Sequence, residues 1–63
     1  MEDIDRKAFR RGFKDYQTYA KQREAGLHSP IWRPVEGHEE AYAAGWETAR
    51  VREAEGRRLA RAA

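Results

Sequence analysis

The sequence predicts an all-α protein: a short helix–loop–helix, folded as an antiparallel helical hairpin with a proline-containing apolar loop packed on it. Three observations lead there. Residues 4–25 contain no proline and consist mostly of good helix formers. Pro30 and Pro34, flanked by Gly26 and Gly37, rule out a single continuous helix. On either side of that break, apolar residues recur at helical spacing. With 63 residues, the chain is expected to form one small helical domain, 1–63. A chain this short buries a poor share of its surface.

Helix 1 is expected over about residues 4–25, with Asp3 or Asp5 as N-cap and Gly26 as the C-terminal stop. Phe9, Gly12, Phe13, Tyr16, Ala20 and Arg23 fall on one stripe. Lys7, Arg10, Arg11, Lys14, Thr18 and Lys21 fall on the opposite side. The connection, 26–37, is too apolar at Leu27, Ile31, Trp32 and Val35 for a solvated linker, so it is expected to fold back on the helices. Helix 2 is expected over about 38–61, with Pro34 near its first turn and Glu36, Glu39 and Glu40 at its positive end. Its stripe runs Val35, His38, Tyr42, Gly45, Trp46, Ala49. Bulky apolar residues leave it after Trp46, so residues 50–63 are expected to overhang the core and to fray.

Two short stretches repeat. "AFRRGF" (8–13) and "AYAAGW" (41–46) share alanine, aromatic, two residues, glycine, aromatic. A glycine inside a helix costs about 1 kcal/mol relative to alanine. Gly12 and Gly45 both lie on the expected buried stripes, where the lack of a side chain lets two backbones approach. The repeat therefore reads as a packing device, with pseudo-symmetry between the helices.

The formal charge is only +2, but the charges are sorted. Residues 6–23 hold seven Lys or Arg against the single acid Asp15. Residues 36–47 hold four acids and no Lys or Arg. Residues 50–61 hold five Arg against two Glu. A basic helix face is an electrostatic footprint for nucleic-acid phosphates, here Lys7, Arg10, Arg11, Lys14 and Lys21, with Arg33 from the loop. Trp32 offers a stacking surface for an unpaired base, and Tyr19 a further partner contact.

Other chemistries leave no mark. There is no cysteine, and "HEEAY" at 38–42 lacks the second histidine of H-E-x-x-H, so neither a thiolate site nor a zinc site is expected. The five glycines stand singly and form no phosphate-cradling loop, and Ser29 beside His28 has no third triad member. No cofactor, no metal and no enzymatic activity is expected. The N-terminus lacks an apolar signal segment, and no apolar run approaches the ~20 residues of a membrane span, so a cytoplasmic protein is expected.

Taken in order, Arg11-Gly12-Phe13, a proline in the loop at Ser29-Pro30-Ile31, and Tyr42, Gly45, Trp46 and Ala49 resemble the motifs of the ribosome modulation factor family. The resemblance spans roughly residues 8–50 and leaves out the arginine-rich tail. The loop has no cysteine before Pro30 and no tyrosine after it, and tyrosine replaces the first tryptophan of the third motif. The resemblance implies a helix–loop–helix of bacterial or phage type that binds ribosomal RNA and modulates translation. It also implies that Gly12, Phe13, Pro30, Tyr42, Gly45 and Trp46 pack the fold. A CrpP-like branch of that family is linked to phosphorylation of ciprofloxacin; with no ATP motif here, that activity is not carried over. The alternative partner is a protein: a second copy of the chain, or a host protein bound through Tyr19, Ile31 and Trp32. A thin two-helix core favours such association.

Overall fold

A computed structural model describes residues 3–27 and 31–62. They form two α-helices, α1 (Asp3–Glu24) and α2 (Glu39–Ala62), packed along each other, with no strand among the described residues. The all-α helix–loop–helix expected from the sequence is the architecture found. Among the described residues, no helix is long and apolar enough to cross a membrane.

The ends of the helices follow local chemistry. Asp3 and Asp5 lie in the first turn of α1, and Glu39 and Glu40 in the first turn of α2, where carboxylates meet the positive end of the helix dipole. At the end of α1, Gly26 adopts φ 82°. Its N–H reaches the Arg23 carbonyl at 3.1 Å, and the Leu27 N–H reaches Gln22 at 2.8 Å. This pair of bonds is a Schellman stop, which needs the left-handed conformation that glycine adopts most readily. α2 starts later than Pro34 suggests. Gly37 turns the chain at φ 81°, and the His38 carbonyl accepts the first helical bond, from Tyr42. Pro34 is thus part of the connection and not a first-turn residue.

The relative direction of the helices departs from the antiparallel expectation. Near the start of both helices, His38 Nδ1 lies 2.6 Å from Asp5 Oδ1. Near the end of both, Arg23 meets Glu53 at 3.1 Å and Arg57 meets Glu24 at 3.4 Å. Start lies beside start and end beside end, so α1 and α2 run parallel. The length of the connection makes this feasible. Residues 25–38, extended, reach about 45 Å. That exceeds the ~33 Å length of the 22-residue α1, whereas a tight antiparallel turn needs only about 2–5 residues. Parallel helices place like dipole ends together, and the acidic first turns of both helices offset that repulsion.

The glycine repeat marks where the backbones meet. A Cβ on Gly12 would lie 2.9 Å from the Tyr42 carbonyl carbon and 3.1 Å from the Trp46 nitrogen. A Cβ on Gly45 would lie 2.8 Å from the Phe9 carbonyl carbon and 3.1 Å from the Phe13 nitrogen. The two sets of contacts interchange when each α1 residue is replaced by its repeat equivalent in α2. Residues 8–13 and 41–46 are therefore related by a local two-fold running along the pair. Around the crossing are buried Ala8, Tyr16, Ala20, Tyr42 and Ala49, flanked by the half-buried rings of Phe13, Tyr19 and Trp46.

Because the helices are parallel, residues 50–57 of α2 run beside the second half of α1 and do not overhang it. Glu53 bridges Arg23 and Arg57, and the Arg52 guanidinium sits 5.5 Å from the centre of the Phe13 ring. α2 continues as helix to Ala62.

Candidate functional site

The outer face of α1 presents Lys7, Arg10, Arg11 and Lys14, all exposed, around a shallow groove completed by Thr18, Asp15 and Arg33. Their spacing of three and four residues stacks them on one side of the helix. None of these four forms an ion pair among the described residues, whereas Arg23, Arg50 and Arg57 are each engaged by a glutamate. The groove therefore gathers five cations around one carboxylate.

That carboxylate is the feature the sequence stripes did not place. Asp15, on α1, is 3 % exposed, covered by Arg33 of the connection and Tyr42 of α2. Arg33 clasps it with two donors, Nη2 to Oδ1 at 2.6 Å and Nε to Oδ2 at 3.3 Å. The buried Tyr42 hydroxyl donates to Oδ2 at 2.5 Å and accepts the Arg33 backbone N–H at 2.9 Å. Burial pushes the Asp15 carboxyl up. The hydrogen bonds from Arg33 and Tyr42, with the charges of Arg33 and Arg11, outweigh burial and hold it below the usual carboxylate value. The bond to Asp15 in turn raises the Arg33 guanidinium, and burial raises the Tyr42 phenol. Asp15 is ionised, Arg33 is charged and Tyr42 is a neutral donor at neutral pH. A signal for this site was present in the sequence, since Asp15 is the one acid among the seven cations of residues 6–23.

The other candidate residues are distributed differently. Arg33 joins the basic groove with its side chain 63 % exposed, although one edge of its guanidinium is occupied by Asp15. Lys21 borders a separate groove with Phe13, Gln17, Ala20, Ala49 and Arg52, about two turns beyond Lys14 along α1. Trp32 stands edge-on to Tyr42 at 5.0 Å and to Trp46 at 5.2 Å, and still exposes 54 % of its surface. Ile31 is half-buried. Tyr19 is not a free platform. It packs against Tyr16 and Trp46, and the Arg23 guanidinium lies 5.6 Å from its ring centre. Gly12, Phe13, Tyr42, Gly45 and Trp46 gather at the helix crossing. Pro30 lies outside the described residues.

Among the described residues, no three of His, Cys, Asp or Glu converge as a metal-ligand group would. Compared with protein-family models, curated proteins and solved structures, the chain matches none.

Proposed function

We propose that the protein binds nucleic-acid phosphates through the outer face of α1, and that its target is ribosomal RNA, through which it modulates translation. One observation carries this reading: Lys7, Arg10, Arg11 and Lys14 converge with Arg33 in one groove, whereas Arg23, Arg50 and Arg57 are engaged by glutamates. Four cations without ion pairs on one face, Lys7, Arg10, Arg11 and Lys14, suit phosphate binding by counterion release. The groove between Tyr16, Tyr19 and Trp46 is a weaker candidate, because three of the four arginines that line it, Arg23, Arg50 and Arg57 but not Arg58, already have carboxylate partners. Ribosomal RNA as the target rests on the motif resemblance to the ribosome modulation factor family. The test is cosedimentation with ribosomal subunits at near-physiological salt. The double reversal Arg10→Glu and Lys14→Glu is expected to abolish it with helicity unchanged. Undiminished cosedimentation of that variant would overturn the proposal.

A second reading, association with another copy of the chain, is favoured by surface area. The protein exposes 5010 Å², against about 4,200 Å² for a compact monomer of its mass. Leu27, Trp32 and Leu59 are large exposed apolar side chains that such association would cover. It predicts a thermal midpoint that rises with protein concentration; a constant midpoint across a wide range would exclude it.

A further inference from the structure

We infer that Asp15 is a positioning residue: from beneath the basic groove it holds Arg33 so that the free edge of the guanidinium faces an incoming phosphate beside Arg11, Lys14 and Thr18. The inference rests on the phosphate-binding reading of that groove and assigns a role to the one group in it with the wrong charge.

A carboxylate among cations weakens the attraction of the groove for anions, and burying it adds a desolvation cost. The ionised pair fastens the connection to α1 more firmly than a neutral hydrogen bond would. What the ionised Asp15 adds besides is orientation. It occupies Nε and Nη2 of Arg33 with a planar two-point contact, which fixes the rotation of the guanidinium. The rest of the Arg33 side chain stays exposed, on the wall of the groove that α1 does not supply. Arg33 lies in the connection, outside both helices. Unpinned, its long side chain would sample many rotamers and lose that freedom on binding. Asp15 is itself oriented by Tyr42 at 2.5 Å, and Tyr42 is fully buried beside the helix crossing. The chain of support runs from the rigid crossing, through Tyr42 and Asp15, to a cation at the surface. The groove then has a fixed donor opposite the flexible Lys7 and Lys14, a geometry suited to one phosphate group held between α1 and the connection.

The experiment measures the affinity of the whole chain for inorganic pyrophosphate and for a short single-stranded oligouridylate over a range of salt. The variants are Asp15→Asn, Arg33→Lys and the double variant Asp15→Asn with Arg33→Gln. Asp15→Asn makes the groove more positive, so electrostatics alone gives tighter binding. Positioning gives the opposite: about ten-fold weaker binding of both probes, and a salt slope for the oligonucleotide smaller by roughly 0.7. Arg33→Lys keeps the charge but not the two-point contact, and is expected to show a similar loss. The double variant is expected to bind no worse than Asp15→Asn alone. Equal or tighter binding by Asp15→Asn with helicity intact would overturn the inference. If Asp15→Asn loses helicity, Arg33→Lys decides, and wild-type affinity in that variant overturns it. If the native chain binds pyrophosphate but not the oligonucleotide, the nucleic-acid reading falls and positioning is judged on the pyrophosphate ratios. If it binds neither, both fall.

Discussion

The local two-fold relates two sides of one helix crossing, and the two sides differ in every polar detail. On one side Tyr42 is fully buried and meets Asp15, with the connection laid over them through Trp32 and Arg33. On the other, the equivalents of Tyr42 and Asp15 are Phe9, half-buried, and Thr48, whose hydroxyl turns back to the Ala44 carbonyl of its own helix. The aromatic contacts diverge in the same way. Trp46 packs on Tyr19 at 5.5 Å, while its equivalent Phe13 carries the Arg52 guanidinium at 5.5 Å. A symmetric backbone contact has thus been given one closed side, with an ionic clasp, and one open side. The difference teaches that the repeat sets how closely the helices approach, and the connection sets which side acquires a site.

The largest expected effect comes from what both sides share. Gly12→Leu and Gly45→Leu each drive a side chain into the facing backbone. Overpacking costs typically about 1–3 kcal/mol and more where backbone must move. A chain of this length, at roughly 0.05–0.15 kcal/mol per residue, has about 3–9 kcal/mol in reserve, which displacing helix backbone at its one crossing can exhaust. Both variants are expected to lose the cooperative thermal transition followed by circular dichroism. A folded Gly45→Leu with a native melting curve would show that the crossing is not where the helices are held. Gly56, where a Cβ would meet nothing within 4 Å, is the control: Gly56→Ala is expected to gain up to about 1 kcal/mol.

The next effect separates the two sides. Tyr42→Phe removes a donor from the buried Asp15 carboxylate and is expected to cost about 1–3 kcal/mol. The equivalent exchange on the open side, Phe9→Tyr, is expected to change stability by less than about 0.5 kcal/mol. Denaturant titration of the pair tests this, and equal costs would mean that the clasp adds nothing to the closed side.

pH sharpens the same comparison. The Asp15 carboxyl titrates lower in the folded chain than in the unfolded one, so it favours folding when ionised. That stability is present above the unfolded value, about 3.9, and is lost as pH falls through the folded value. The thermal midpoint is therefore expected to drop below about pH 4. Asp15→Asn should lower the midpoint at neutral pH and flatten this acid limb. An acid limb of unchanged steepness in Asp15→Asn would place the titrating group elsewhere.

The smallest effect belongs to the open side. Arg52→Gln removes the cation over Phe13 and is expected to cost about 0.5 kcal/mol, within reach of careful denaturant titration. A loss several times larger would mean that the open side is as firmly built as the closed one.

Much of this is readable in the sequence, for local reasons. Helical stripes depend on residues three and four apart, so the two helices, the place of Gly12 and Gly45 on their buried stripes and the basic row from Lys7 to Lys14 follow from local spacing, and the stop at Gly26 from residue type. Direction does not, because the same stripes serve parallel and antiparallel pairs. The length of the connection was the available clue, since residues 25–38 can retrace α1. Asp15 was also counted but not placed. A stripe of apolar residues has no position for a carboxylate, and its burial depends on Arg33, 18 residues away.

By itself, then, the sequence determined that this chain forms two helices, each with a glycine on its buried stripe, and carries a cationic face. The tertiary structure decided that they run parallel, that Asp15 is buried beneath Arg33, that Lys21 borders a different groove, and that residues 50–57 line the pair. The physical reason is range. Helix formation and charge sorting are settled within a turn or two of chain. Direction, and the pairing of a buried charge, are settled only when the connection returns along the helices and brings distant residues into contact.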